Sequence, residues 1–181
     1  MRRTFDDALG FGEKGQDLVS AALRADGWLV MPIHQIPPHD GHGPRLEGAG
    51  EGITLPDFRA TKLGYSLALD VKTKAEPTMG RLTEVPEHGI DRPCWEAMRE
   101  YERRTEEAVF LVVVEWSSGE ILAARISHLR PRLSVMRGVP MAYFPRSQLR
   151  TDWLETLNRH IVAKDRPRAR RAADDQGSLF S

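Results

Sequence analysis

Two short stretches decide the fold of this chain: residues 55–59 read Leu-Pro-Asp-Phe-Arg, and residues 67–72 read Leu-Ala-Leu-Asp-Val-Lys. Successive side chains of a strand point to opposite faces, so Asp70 and Lys72 are expected on one face. A Lys-Leu-Gly turn signal lies between the two stretches, which predicts a hairpin with Asp57 beside Asp70. The sequence therefore predicts two carboxylates and one ammonium group at a single place.

This combination of groups suits the hydrolysis of a phosphodiester bond. Carboxylate oxygens are hard ligands for Mg²⁺ or Mn²⁺, and Mg²⁺ is commonly bound through one or two carboxylates together with substrate phosphate and water. A neighbouring lysine can orient the attacking water and offset the negative charge that builds on the phosphorus centre. The alternative interpretation is an ordinary strand with a solvated Asp and Lys on its surface.

At these residues the sequence resembles the PD-(D/E)xK nuclease superfamily, which includes restriction endonucleases, Holliday-junction resolvases and phage or repair exonucleases. Pro56-Asp57 matches the first half of the motif, Asp70-Val71-Lys72 matches the second, and the resemblance covers roughly residues 13–116. It implies a restriction-endonuclease-like α/β fold with an αβββαβ core, in which helices flank a central mixed sheet. It also implies a DNA nuclease in which Asp57, Asp70 and the Val71 carbonyl hold Mg²⁺ or Mn²⁺, and Lys72 positions or activates the water.

Members of the superfamily often add an acid from the first helix. Glu13, Gln16 and Asp17 are three and four residues apart, so they share one helix face. Gln16 stands where many relatives carry glutamate, which leaves the identity of the helix acid open between these three residues. We assign Glu13 as the catalytic residue and metal ligand of the helix, against the alternative of an N-terminal acid that complements the helix dipole.

Hydrophobic periodicity predicts the remaining elements independently of the motif. We expect helices over residues 11–26, from Asp91 onward and over 147–163, and strands over 28–31, 109–114 and 121–126. Residues 36–52 and 76–89 are rich in glycine, proline and polar residues, so we expect irregular loops there. The order of helix, strand, hairpin, helix and strand is that of the αβββαβ core.

Composition limits the class of protein. The chain has 181 residues, enough for one domain with a proper core, which we expect over residues 5–163. Its single cysteine, Cys94, excludes an internal disulfide framework, and its longest apolar run is too short to span a bilayer. We therefore expect a cytoplasmic protein that is not membrane-bound. The 26 basic and 26 acidic residues cancel, which argues against tight non-specific binding to DNA.

Several further cations and histidines are weaker candidates. Lys74 follows Lys72 on the same strand face, and Lys62, Arg81 and His88 lie in segments that the topology is expected to bring near the site. Arg81 is the best phosphate clamp among them because a guanidinium presents a fork of donors. Each of these residues is otherwise an ordinary solvated side chain. A zinc site is not expected, because the histidines of residues 34–42 have no cysteine nearby.

The segment 164–181 carries a separate signal. Its first half is densely charged and is expected to be a disordered basic tail. It ends in a peptide in which Gln176, Leu179 and Phe180 have the spacing of the motif by which bacterial polymerases and repair proteins bind the replicative sliding clamp. The resemblance implies that Leu179 and Phe180 fill an apolar pocket of the clamp and Gln176 hydrogen-bonds its rim. The alternative is that the two apolar residues fold back on the domain.

Together these observations predict a metal-dependent nuclease that acts on DNA in repair, recombination or phage and mobile-element processing. One alternative is a non-catalytic DNA-binding or assembly module that keeps the nuclease fold, and another is a structural α/β protein. The sequence leaves open whether the substrate is DNA or RNA, duplex, branched or single-stranded. It also leaves open whether the chain cuts internally or from an end, and whether it forms a homodimer.

Overall fold

The computed structural model of the chain describes residues 5–33, 45–46 and 52–165. Its helices are α1 Phe5–Ala25, α2 Arg92–Thr105 and α3 Trp153–Asp165. Its first six strands are β1 Leu29–Pro32, β2 Arg45–Leu46, β3 Ile53–Thr54, β4 Phe58–Lys62, β5 Tyr65–Lys74 and β6 Thr78–Met79. The other five are β7 Pro86–Asp91, β8 Ala108–Glu115, β9 Glu120–Arg125, β10 Arg132–Met136 and β11 Val139–Pro145. Short 3₁₀ turns cover Ile126–His128 and Arg146–Gln148.

The central sheet has five strands in the order β1-β4-β5-β8-β9. Only the pairing of β5 with β8 is parallel, and α2 forms the crossover between these two strands. The other three pairings are antiparallel, so the sheet is mixed. If the small β2–β3 ribbon and the strands β6 and β7 of a second sheet are set aside, α1, β1, β4, β5, α2 and β8 follow one another along the chain. The predicted αβββαβ core with a central mixed sheet is therefore confirmed.

The predicted hairpin is formed by β4 and β5. Phe58 pairs with Leu69 at its open end, and Lys62 pairs with Tyr65 at its turn. The two turn residues, Leu63 and Gly64, have φ angles of 52° and 80°. Positive φ at both positions is the geometry of the tight hairpin turn whose twist matches that of the strands. Because Phe58 pairs with Leu69, the preceding Asp57 comes next to Asp70, as the sequence predicts.

The central sheet is covered on both faces, which explains why β8 is buried along its whole length. On one face, α1 and α3 pack against alternate residues of the strands. The buried members of that core include Val19, Leu23, Trp28, Phe58, Leu67, Leu69, Val71 and Leu157. On the other face, α2 and a second sheet pack against Ala68, Leu111 and Val113. Alternation along β5 therefore places Asp70 and Lys72 on the α2 face.

The second sheet is the main feature that the sequence did not predict. It has four strands in the order β10-β11-β7-β6. The expectation of an irregular loop over residues 76–89 was wrong, since β6 and the start of β7 lie within it. Residues 86–91 read Pro-Glu-His-Gly-Ile-Asp, which gives no alternating apolar pattern. The sheet forms because one of its faces buries Ile90, Ala142 and Phe144 against α2.

The ends of two helices differ from the expected bounds. Helix α1 begins at Phe5 rather than near residue 11, and α3 begins at Trp153 rather than near residue 147. The later start of α3 has a local cause, because Arg150 exchanges two backbone hydrogen bonds with Ala123 of β9. Most of the predicted loop 36–52 and residues 166–181 of the predicted tail lie outside the described residues. Among the described residues, no helix is long and apolar enough to cross a membrane.

Candidate active site

The geometry of the site is set by Asp57, which stands just before β4. Its Oδ2 atom accepts a hydrogen bond of 2.7 Å from the backbone N–H of Val71. The pairing of β4 with β5 stops at Phe58 and Leu69, so beyond this point a carboxylate replaces the neighbouring strand as partner of β5. The N–H and C=O of one strand residue point to the same side, so the Val71 carbonyl is also directed toward the Asp57 side.

Asp70 and Lys72 lie on the same face of β5 and form an ion pair. Lys72 Nζ lies 2.6 Å from Asp70 Oδ2. The Sγ atom of Cys94, in the first turn of α2, lies 3.9 Å from the same carboxylate oxygen. Asp57 and Asp70 are only 9% and 5% exposed, so little water reaches either carboxylate. The structure thus brings together three of the residues that the sequence selected, Asp57, Asp70 and Lys72.

The two carboxylates repel each other. Burial, followed by the charge of Asp70, raises the pKa of Asp57 from 3.8 to about 6, although Lys72 and the Val71 N–H act in the opposite direction. Burial and the same carboxylate raise the pKa of the Cys94 thiol to about 11, so this cysteine stays protonated at neutral pH. Burial, the largest single effect, would lower the pKa of Lys72, but the nearby negative charges, that of Asp70 foremost, and the hydrogen bond to Asp70 together outweigh it and raise that pKa. Lys72 is therefore a stable cation and not a base in this state.

These groups fit a divalent cation. Two buried carboxylates with one ammonium partner leave an excess of negative charge, and this repulsion adds to the effect of burial in raising the pKa of Asp57. A hard cation would remove this repulsion, and Asp57, Asp70 and the Val71 carbonyl are all oxygen donors. Within the described part of the chain, no group of three or more His, Cys, Asp or Glu side chains is placed to hold a metal ion. Mg²⁺ bound through two carboxylates commonly takes substrate phosphate and water as further ligands.

The structure does not group Glu13 with these residues. Helix α1 packs on the opposite face of the central sheet, where Gly15 lies so close to Thr73 that a Cβ atom there would stand 1.9 Å from the Thr73 hydroxyl oxygen. Glu13 and Asp17 are exposed, and Gln16 is half-buried. The role of Glu13 as catalytic residue and metal ligand therefore stays a prediction from the resemblance.

The weaker candidate residues lie in two different parts of the structure. Lys62 was expected near the site, and that expectation was wrong. Its Nζ atom lies at the turn end of the hairpin, 2.9 Å from Asp26 Oδ2 and 3.2 Å from Asn158 Oδ1. By contrast, Lys74 and Arg81 both line a groove of about 700 Å³ that runs over the second sheet.

The outer face of the second sheet forms the floor of this groove. Register puts Arg132, Tyr143 and Gly89 side by side on neighbouring strands. Gly89 is required there, because a Cβ atom would lie 2.7 Å from Cε1 of Tyr143. The Arg132 guanidinium lies 4.8 Å from the centre of the Tyr143 ring and 2.6 Å from Glu87. Glu87 is buried and also accepts a hydrogen bond from Thr83.

Sequence reasoning missed the groove because it missed the hairpin of β10 and β11. The turn of that hairpin is Arg137-Gly138, and both residues have positive φ. Asn-Gly or Asp-Gly is the usual signal for such a turn, and arginine at the first position hides it. Residues 132–136 do alternate, with serine and arginine on one side, which is the signal that could have been used.

A buried ionic cluster connects the second sheet to the central sheet. His88 of β7 is 1% exposed, and its Nε2 atom lies 2.7 Å from Oε1 of Glu115, at the end of β8. Arg146 donates two hydrogen bonds to the same carboxylate. Burial, assisted by the charges of Lys74 and Arg146, lowers the pKa of His88 despite the opposing effect of Glu115, so the imidazole is neutral at pH 7. His88 was expected in a loop, and it is instead a buried strand residue that fixes the base of the groove.

Comparisons with known proteins add structural likeness but no relatives by sequence. No protein-family model matches the chain, and no curated protein is recognisably similar to it in sequence. The Holliday junction resolvase Hjc of Archaeoglobus fulgidus superposes with a TM-score of 0.48 at 12% identity, over 75% of this chain and 84% of that chain. D212, a nuclease from a fusselovirus, superposes with a TM-score of 0.48 at 9% identity, over 91% of this chain and 98% of that chain. The bacterial homing endonuclease I-Ssp6803I superposes with a TM-score of 0.47 at 14% identity, over 90% of this chain and 98% of that chain.

Proposed function

We propose that this chain is a divalent-metal-dependent nuclease that hydrolyses phosphodiester bonds in DNA, with Asp57, Asp70 and Lys72 at its active site. One observation carries the proposal: two buried carboxylates meet beside a charged lysine, and burial together with the charge of Asp70 raises the pKa of Asp57 to about 6. A structural role does not require this arrangement, since a buried like-charge pair destabilises the fold. Perturbed acids of this kind are typical of functional sites.

Asp57 and Asp70 would hold the cation, and the Val71 carbonyl would be a third oxygen ligand. A divalent cation held there would supply Lewis-acid polarisation of the scissile phosphate and offset its charge. The hydrogen bond from the Val71 N–H holds the Asp57 carboxylate in position, so the ligand set does not have to reorganise on binding. Mg²⁺ commonly takes substrate phosphate and water as its remaining ligands, which agrees with a site that offers two carboxylates.

Lys72 has a role that follows from its charge. Since its pKa is raised, it remains an ammonium group at neutral pH and donates hydrogen bonds. We infer that it orients the attacking water and stabilises the negative charge that develops on the phosphate oxygens. In the structure it is paired with Asp70, so a cation bound to Asp70 would compete for that carboxylate and free Lys72 to face the substrate.

The direct test is a cleavage panel. Purified protein is incubated with linear, nicked, forked and four-way DNA at fixed salt, with Mg²⁺, with Mn²⁺ or with EDTA. We expect cleavage of at least one substrate with a divalent cation, no cleavage in EDTA, and no cleavage by the Asp70→Asn variant under any condition. Binding of DNA without cleavage in any lane would instead support the alternative, a DNA-binding module that keeps the nuclease fold.

We also propose that Gln176, Leu179 and Phe180 attach this nuclease to a bacterial replicative sliding clamp. The spacing of these residues supports the proposal, and they lie outside the described residues. The chain has no net charge, so phosphate contacts alone would hold it weakly on DNA. Attachment to a clamp that encircles DNA would raise the effective concentration of the nuclease at its substrate without a large basic surface.

A further inference from the structure

We infer that the groove over the second sheet binds an unpaired DNA strand next to the scissile phosphate, so that the substrate carries a single-stranded segment. This inference rests on the proposed nuclease function and adds the substrate class to it. The groove has a volume of about 700 Å³ and is formed by β6, β7, β10 and β11. Clefts of that size enclose small organic molecules, and a nucleotide unit is of this size class.

The groove is continuous with the candidate active site. Lys74 lines the groove, and alternation along β5 puts it on the same strand face as Asp70 and Lys72. Burial, followed by the charge of Lys72, lowers the pKa of Lys74, which indicates that the two ammonium groups are close. A strand whose scissile phosphate lies at Asp70 would therefore pass Lys74 as it enters the groove.

The charge of the groove suits a phosphate backbone. Lys74, Arg81 and Arg137 line the groove, and within the described residues none of the three forms a direct ion pair, although the charge of Asp91 acts on Lys74 from a longer distance. These cations are therefore available to phosphates. The carboxylates of the lining are Glu87, which is buried with Arg132, and Glu76, which is exposed. The groove thus has an excess of unpaired positive charge in a chain whose total charge is zero.

The apolar part of the groove favours an unpaired strand over a duplex as the ligand. Met79, Leu82 and Val135 line it and are 66%, 85% and 67% exposed. Exposed apolar side chains among cations have no partner in duplex DNA, where the base faces are stacked inside. Bases of an unpaired strand have free faces, which pack on apolar or aromatic side chains while cations follow the phosphates.

The test measures binding separately from cleavage. Fluorescence anisotropy in EDTA compares three labelled DNAs of the same sequence: a single strand, a blunt duplex, and that duplex with a single-stranded overhang. The full-length protein carries Asp70→Asn in every case, so nothing is cut. We expect the single strand and the overhang to bind about tenfold or more tightly than the blunt duplex.

Two groove variants and one matched control complete the test. Arg81→Ala and Arg137→Ala should each weaken binding of the overhang DNA about three- to tenfold and reduce its salt dependence by about 0.7 in log–log slope. Arg24→Ala removes an exposed arginine from α1, on the opposite face of the central sheet, and should change neither value. Equal binding by all three variants, or a preference for the blunt duplex, overturns the inference. Both results are independent of whether the unmutated chain cleaves DNA, so failure of the groove and failure of the nuclease proposal are distinguishable.

Discussion

Asp57 and Val71 are joined by a side-chain to backbone hydrogen bond of 2.7 Å, at the place where β4 and β5 cease to pair. This bond holds a carboxylate beside a second carboxylate, Asp70, that repels it. The bond favours the ionised form of Asp57, whereas burial and the charge of Asp70 favour the protonated form, and these two effects are the larger. The metal-free protein therefore has a destabilised group at its candidate site, and a bound cation would relieve it.

The first prediction concerns the pH dependence of stability without metal. The pKa of Asp57 is about 6 in the folded state and 3.8 by reference, so the folded protein binds a proton more readily than the unfolded chain. The contribution of Asp57 is then most favourable below pH 3.8, falls as the pH rises through about 6, and levels off above that. We expect this contribution to fall by about 1–1.5 kcal/mol of unfolding free energy between pH 5 and 7.5, measured by urea denaturation in EDTA.

The matched variant for this prediction is Asp57→Asn. An asparagine oxygen can still accept the Val71 hydrogen bond, but it carries no charge to repel Asp70. The variant should be more stable than wild type at pH 7.5, and its unfolding free energy should lack the Asp57 contribution between pH 5 and 7.5. Adding Mg²⁺ should stabilise the wild type and not the variant. A variant less stable than wild type at pH 7.5 would show that the Asp57 charge is not a source of strain.

The second prediction concerns metal binding at Asp70. Calorimetric titration of the wild type with Mg²⁺ or Mn²⁺ should give one site per chain, and Asp70→Asn should remove the binding signal. The fold should be retained, because the substitution ends the repulsion of Asp57 while it takes away the partner of Lys72, and these two effects oppose each other. Unchanged metal affinity in a folded Asp70→Asn protein would place the metal elsewhere.

The third prediction separates the role of Lys72 from that of its neighbours. Lys72→Ala should still bind Mg²⁺, since it removes no oxygen ligand, but it should lower the single-turnover cleavage rate by ~10²-fold or more. That is the scale of loss when one preorganised transition-state contact is deleted. Lys72→Arg keeps the charge and should recover part of the rate if electrostatics dominate. A Lys72→Ala protein that cuts as fast as wild type would exclude this lysine from the mechanism.

The fourth prediction uses Lys62 as a lysine of purely structural role. Its ammonium group donates hydrogen bonds to the backbone oxygen and side chain of Asp26 and to Asn158, which joins the hairpin turn to α3 and the end of α1. Lys62→Ala should lower the unfolding free energy by about 1 kcal/mol, the usual value of such contacts. Its cleavage rate should equal that of wild type. A loss of rate at unchanged stability would return Lys62 to the candidate site.

Local patterns predicted the central part of the molecule because its determinants are close in sequence. The turn at Leu63-Gly64 fixes the hairpin register, and the register alone puts Asp57 next to Asp70. Residues 109–114 are all apolar, which is typical of a strand covered on both faces, and β8 is buried along its whole length. In both cases the residues of the element itself determine its structure, so it can be predicted without knowing which distant residues pack against it.

The second sheet was not predictable in this way because its strands are stabilised by distant partners. Strand β7 holds proline and glycine, and Gly89 is present because Tyr143, more than fifty residues later, lies across it. His88 is buried because its imidazole hydrogen-bonds Glu115, which Arg146 in turn holds in place. The prediction that Lys62 lies near the site was wrong for a related reason, since its partner Asn158 is 96 residues away. Each of these contacts is a tertiary property that no local window contains.

The last prediction concerns residues 176–180. Burial of Leu179 and Phe180 in an apolar clamp pocket should contribute about 1.5–3 kcal/mol for each side chain, less the cost of ordering the peptide. We therefore expect an affinity in the micromolar range for a peptide of residues 172–181 titrated against a bacterial sliding clamp. The same peptide with Leu179→Ala and Phe180→Ala keeps every charge and serves as the control, and it should not bind measurably. In the full-length protein, this double substitution should leave cleavage of free linear DNA unchanged and abolish the stimulation by a clamp loaded on circular DNA. If the two peptides bind equally, or neither binds, the clamp is not a partner and the nuclease must reach its substrate through the groove and the active site alone.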